Sequence, residues 1–246
     1  MIRSESPPLL IRPVSIATVI LLWAAAALFE NTLIRCFKDL KSVVNPFRWA
    51  SASIELTLPS SQTIPDMPDR EDRAVEAART IKGVIDLKEA IEGEGIPIDI
   101  ISTGETWSYD VAAEIPGVTE IQGGSYLMME THYSYMTEFH YAAKILTTII
   151  STPKPGVAIG DAGVRAVSSL SGMPTVFDRP GVTVEALDSD HAVFKLDSDA
   201  SLKVGDQVLL IPAQQDAMVS RWDRFIGLRH GQVEVVWDIQ ARGCHN

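Results

Sequence analysis

Cysteine is nearly absent: the 246 residues include two, Cys36 and Cys244, near opposite ends and in no CxxC pair. That excludes a disulfide scaffold and leaves no thiolate cluster for zinc. It fits a reducing, cytoplasmic compartment. Basic runs are also missing, and the formal net charge is −11. Binding nucleic acid takes clustered Lys and Arg against phosphates, so nucleic acid is not an expected partner. The histidines, His132, His140, His191, His230 and His245, form no HxH or HExxH spacing. No GxSxG, P-loop or GxGxxG occurs either, so serine hydrolase, NTPase and Rossmann readings lack their carriers.

Long apolar runs are limited to one. Val14 to Phe29 carries no charge, with Arg3 and Arg12 before it and Glu30 after it. A spanning helix needs about 20 apolar residues, so this run is short. It suits a buried helix best, with a signal peptide or membrane anchor as alternatives. Apart from it the balance is ordinary for a globular protein: 46% apolar and 22% charged.

Three zones follow from composition and pattern. Residues 1–68 are a divergent amino-terminal segment, in which Ser51 to Pro68 reads as a loop or linker. Residues 69–151 begin with acids at Asp69, Glu71 and Asp72, which favour a helix amino terminus. Apolar residues then recur at Ala74, Ala77, Ala78, Ile81, Val84, Ile85 and Ile91, the spacing of one buried helix face. Gly93 and Gly95 stop that helix. Pro97 to Ile101 reads as a strand, Tyr109 to Ile115 as a short helix, and Glu120 to Gln122 as another strand. Tyr135 to Ile150 reads as a helix. Alternating helix and strand of this kind marks an α/β layer or barrel.

From residue 152 to 246 the pattern is β-rich. The strand cores are Val157–Ile159, Val182–Val184, Ala192–Phe194, Val208–Leu210 and Val233–Val235. Arg229-His230-Gly231-Gln232 reads as a hairpin turn.

Two turns carry the candidate chemistry. Ser102-Thr103-Gly104-Glu105-Thr106-Trp107-Ser108 links a strand to a helix, and Gly123-Gly124-Ser125 follows the next strand. Backbone N–H groups and hydroxyls in such turns bind phosphate, and adjacent strand ends are where a β/α barrel builds a phosphate site. Each turn alone is common. Glu105 opposes the reading, because a carboxylate repels a phosphate dianion. The histidines read as surface or hydrogen-bonded side chains.

In order along the chain, these segments resemble the D-threonine aldolase / D-serine dehydratase family. Ile101 to Asp110 is similar to its cofactor-phosphate loop, and Pro116 to Tyr126 to its next strand and second phosphate turn. Gly160-Asp161-Ala162-Gly163 resembles the element that opens its β domain, and Asp190-His191 its acidic-His element. Leu202 to Val208 with Ile211-Pro212 resembles the run into its metal-site strand, and Val236 to Gly243 its closing segment. The match covers residues 69–246. It implies a fold of the α/β class, a partial alanine-racemase-like β/α barrel (69–151) followed by a β-rich D-serine dehydratase-like domain (152–246).

The resemblance further implies pyridoxal 5'-phosphate as cofactor, with Thr106, Ser108, Gly124, Ser125 and Tyr126 around its phosphate. It implies a small amino-acid substrate, a homodimer, and a metal site just after Pro212. There the usual His position is Gln214, a weak neutral ligand, which leaves Asp216 to bind a divalent cation. Arg165 stands where a Lys is usual. The family's catalytic lysine stretch is not found: Arg12-Pro13 is followed by Val14, and Lys38 and Lys41 have no matching context. The expectation is a truncated or divergent lyase of D-β-hydroxy amino acids. A non-catalytic cofactor-binding or regulatory remnant is the alternative.

Overall fold

The computed structural model describes the strand Glu55–Thr57 and residues 67–243. The apolar run 14–29, Lys38 and Lys41 lie outside the described residues. Among the described residues no helix is long and apolar enough to cross a membrane.

The chain divides into two units, with the break after Gln122. The first unit holds β1 (Glu55–Thr57), α1 (Arg70–Gly93), β2 (Ile100–Thr103), α2 (Tyr109–Ala112) and β3 (Glu120–Ile121). Its strands pair in parallel in the order β1-β2-β3. Asp69 caps α1, its carboxylate accepting from the amides of Glu71 (2.7 Å) and Asp72 (3.4 Å). The buried face of α1 carries Ala77, Ile81, Val84, Leu87 and Ile91. Ile96, Ile98 and Ile101 join Val84, Leu87 and Ile91 in one apolar cluster. Arg73, buried on the same helix, lies 3.4 Å from Asp110.

The helix expected from Asp69 is therefore present, with Leu87 added to its buried face and Ala78 exposed. The strand expected at 97–101 begins later, at Ile100. Pro97 has no N–H for a ladder, and the register with β1 and β3 is set around Ser102. Within the stretch read as a linker, Glu55–Thr57 is a strand. Its partner lies 45 residues on, Glu55 opposite Ile100, a pairing no local pattern reveals.

The second unit is built on a six-stranded antiparallel sheet in the order β6-β9-β4-β5-β8-β7. Its strands are β4 (Ile145–Lys154), β5 (Val157–Gly160), β6 (Thr175–Phe177), β7 (Val182–Leu187), β8 (Ala192–Leu196) and β9 (Gln207–Ile211). The edge strands β6 and β7 approach each other, so the sheet is a nearly closed barrel. Its interior is Ile145, Ile149, Ala158, Phe194, Val208 and Leu210. Short helices α3 (Val164–Val167) and α4 (Gln215–Val219) contribute Val167 and Met218 to the same cluster. A hairpin, β10 (Arg224–Arg229) and β11 (Gln232–Asp238), follows.

All the strand cores expected beyond residue 155 are strands. The hairpin turn is His230-Gly231, with φ of 51° and 75°, the conformation of a two-residue type I′ loop. The helix expected over Tyr135–Ile150 is a correction: Ile145 opens the longest strand, and 137–144 is irregular. Ile145 and Ile149 satisfy helical spacing, but Ile145, Thr147 and Ile149 also alternate. The β-branched run Thr147 to Ile150 packs better on a sheet. Partners on β5 and β9 decide the matter.

Gly160 to Gly163 locks the barrel at the end of β5. Asp161 accepts from the Thr148 amide (2.7 Å) and the Thr147 hydroxyl (3.0 Å). Gly163 lies against the backbone of Asp188, Asp190 and His191, where a Cβ would meet atoms at 2.3–2.6 Å. Its φ of −120° is ordinary, so space and not conformation requires glycine here.

Candidate functional site

The turn after β3 is open. A Cβ on Gly124 would meet nothing within 4 Å, so packing does not require glycine there. Ser125–Leu127 forms a single 3-10 turn. Among the described residues neither the amide nor the hydroxyl of Ser125 donates to a protein group. The Tyr126 ring is half exposed and packs on Phe139, with centroids 5.7 Å apart.

Gly124 lines a cavity of about 300 Å³ together with Leu127, Met128, Asp216, Val219 and Arg242. The structure thus brings Gly124, of the turn expected to bind phosphate, and Asp216, the expected metal carboxylate, to one cavity though they are far apart in sequence. Asp216 is exposed in the first turn of α4. Arg242 adds a cation to the wall and pairs with Asp223 at 3.0 Å.

Beneath this cavity a polar network fixes the loop that carries Gln214 and Asp216. Glu130 is buried, and its carboxylate accepts from the Gln215 amide at 2.8 Å. The Thr131 amide donates to the Pro212 carbonyl at 3.1 Å. The Ser171 hydroxyl donates to Oε1 of Gln214 at 2.9 Å, and His132 Nε2 lies 3.1 Å from the Ser171 carbonyl oxygen. Burial pushes the Glu130 carboxyl above its ordinary range. The Gln215 amide and His132 oppose that shift, and the neighbouring Asp216 adds to it. Sequence reasoning missed Glu130 and Ser171, because neither lies in a motif.

This donor set does not fit a resident divalent metal. The carbonyl oxygen of Gln214 is engaged by Ser171, and among the described residues no three His, Cys, Asp or Glu side chains gather at one point.

In the first unit Thr106 and Ser108 are both buried in the turn after β2. The Ser108 hydroxyl accepts the Glu105 amide at 3.0 Å. The Glu105 carboxylate caps the same turn and accepts from the Trp107 indole N–H at 3.2 Å. The carboxylate that opposed a phosphate cradle is therefore consumed locally. The donors fit for a phosphate in this structure are those of Gly124 and Ser125: unpartnered or open, and at a cavity.

A parallel α/β unit followed by an antiparallel barrel unit is a fold of the alanine-racemase-like class. Comparison with known proteins agrees. Residues 142–228 match the family model of the putative serine dehydratase domain. A 3-hydroxy-D-aspartate aldolase of Paracoccus denitrificans (strain Pd 1222) is 33% identical over 224 residues, covering 85% of this chain and 58% of that protein. The crystal structure of D-threonine aldolase from Filomicrobium marinum superposes with a TM-score of 0.73 at 24% identity, over 87% of this chain and 68% of that one. An alanine-racemase-like protein from Idiomarina loihiensis gives 0.63 at 16% identity, over 79% and 65%. The chain belongs to the D-threonine aldolase / D-serine dehydratase-like family. It spans 58% of the length of the aldolase relative.

Proposed function

We propose that this chain serves a pyridoxal-phosphate-dependent lyase reaction on small D-β-hydroxy amino acids. The observation that carries the reading is the Gly124–Ser125 turn, with open space over Gly124 and unused donors on Ser125, at the same cavity as Asp216. In this reading the Ser125 amide and hydroxyl donate to the cofactor phosphate, Gly124 lets it approach the backbone, and Tyr126 walls the turn. Arg242 supplies positive charge near the anion. Asp216 accepts a hydrogen bond from a substrate hydroxyl, and Glu130 holds the loop that presents it. When bound, the cofactor supplies an electron sink for cleavage of a Cα–Cβ bond or loss of a β-hydroxyl. No step is assigned to a divalent metal. A homodimer working in the cytoplasm completes the proposal.

The test is a titration of the full chain with pyridoxal phosphate, followed by absorbance, for wild type and Ser125→Ala. Hydrogen bonds to charged groups contribute about 1.5–3 kcal/mol, so Ser125→Ala is expected to weaken binding by about ten- to a hundredfold. Equal affinity for both would remove the phosphate assignment. Aldehyde or keto-acid release from D-threonine or D-3-hydroxyaspartate then separates a lyase from a protein that only binds the cofactor.

A further inference from the structure

A second cavity, of about 430 Å³, lies in the barrel unit. It shares no lining residue with the Gly124–Asp216 cavity. Met129, Tyr133, Met136, Phe139, Tyr141 and Phe177 make most of its wall, and Lys144 enters it from the same wall.

The setting of Lys144 differs from that of the other described lysines. Lys82 and Lys88 pair with Asp86 and Glu92, and Lys154, Lys195 and Lys203 are exposed. Lys144 is only partly exposed. Its Nζ lies 4.4 Å from the centroid of the Phe177 ring and donates to the Tyr141 carbonyl. Among the described residues it has no carboxylate partner. Its place is fixed by the sheet. Lys144 directly precedes β4, where Ile145 pairs with Leu210 on β9. Phe177 on β6 pairs with the adjacent Leu209.

We propose that Lys144 is an aldehyde-capturing lysine, and that the cavity beside it takes a small aromatic aldehyde. An amine without a counter-ion at an apolar wall needs little desolvation to act as a nucleophile. Aromatic walls hold a flat ring and exclude the water that would hydrolyse the product. The nitrogen lone pair attacks the carbonyl carbon and a C–N bond forms. The carbonyl oxygen then leaves as water, taking both amine protons, and an imine remains; nothing is oxidised or reduced. Burial also holds the Lys144 amine below the ordinary lysine range, which enlarges its neutral fraction. The inference is independent of the proposed lyase reaction, because it concerns a different cavity and needs no cofactor.

The test uses benzaldehyde with cyanoborohydride on the full chain at neutral pH, and locates the added mass by peptide mass spectrometry. Lys144 is expected to carry at least about tenfold more label than Lys154 or Lys195. The preference is expected to vanish in urea. Lys144→Arg is expected to abolish the dominant site and leave the others unchanged. Even labelling across the lysines of the native protein would overturn the proposal. So would a preference that survives in urea, since it would belong to local sequence and not to the cavity.

Discussion

The carboxylate of Glu130 and the amide of Gln215 meet at 2.8 Å across a separation of 85 residues. This contact ties the segment after the Gly124–Ser125 turn to the loop that presents Gln214 and Asp216. Its removal tests the network directly. Glu130→Ala leaves a buried N–H without an acceptor, a loss of about 1–3 kcal/mol. Glu130→Gln keeps an acceptor and is expected to lose less. Urea unfolding of the three proteins checks the order.

The same residue sets a pH dependence. The Glu130 carboxyl is raised by burial, so the folded state binds its proton more readily than the unfolded chain. Its contribution is present below the ordinary glutamate value, about 4.3. It is lost as pH rises from there through the raised folded value. Relative to Glu130→Gln, the wild type is therefore expected to lose stability across that window. Parallel stability curves for the two proteins would contradict it.

Two glycines are expected to respond oppositely to one added methyl. Gly163→Ala drives a Cβ into backbone at 2.3–2.6 Å. Backbone on that side gives little, so a loss of about 1–3 kcal/mol or more is expected. Gly124→Ala meets open space, and its stability is expected to stay within about 0.5 kcal/mol of wild type. Its affinity for pyridoxal phosphate is expected to fall. Thermal melts and cofactor titration separate the two effects.

Asp69→Ala removes both side-chain hydrogen bonds at the start of α1. A loss of about 0.5–2 kcal/mol is expected, with Asp69→Asn close to wild type. Denaturant titration followed by helical circular dichroism reads it out.

At the hairpin turn His230 sits at a φ of 51°. Asn tolerates that region better than most side chains, because its short amide bonds locally. His230→Asn is expected to hold or slightly raise the melting temperature, and His230→Val to lower it.

The sequence by itself determined what depends on near neighbours. Asp69 caps the helix it precedes, and Ala77, Ile81, Val84 and Ile91 line one face because 3.6 residues make a turn. The β-rich pattern beyond Pro155 and the His230-Gly231 turn were legible for the same reason. So was a turn at Gly124 and Ser125, since small residues after a strand are a local signal. Only the tertiary structure decided the rest. Tyr135 to Ile150 satisfies a helix as well as a strand until β5 and β9 supply ladder partners for Ile149 and Ile145. Glu55–Thr57 looks like linker until Ile100 to Ser102 lies beside it. Glu130, Ser171 and Lys144 stand in no motif. Their chemistry comes from burial and from neighbours dozens of residues away, and desolvation has no signature in a linear string.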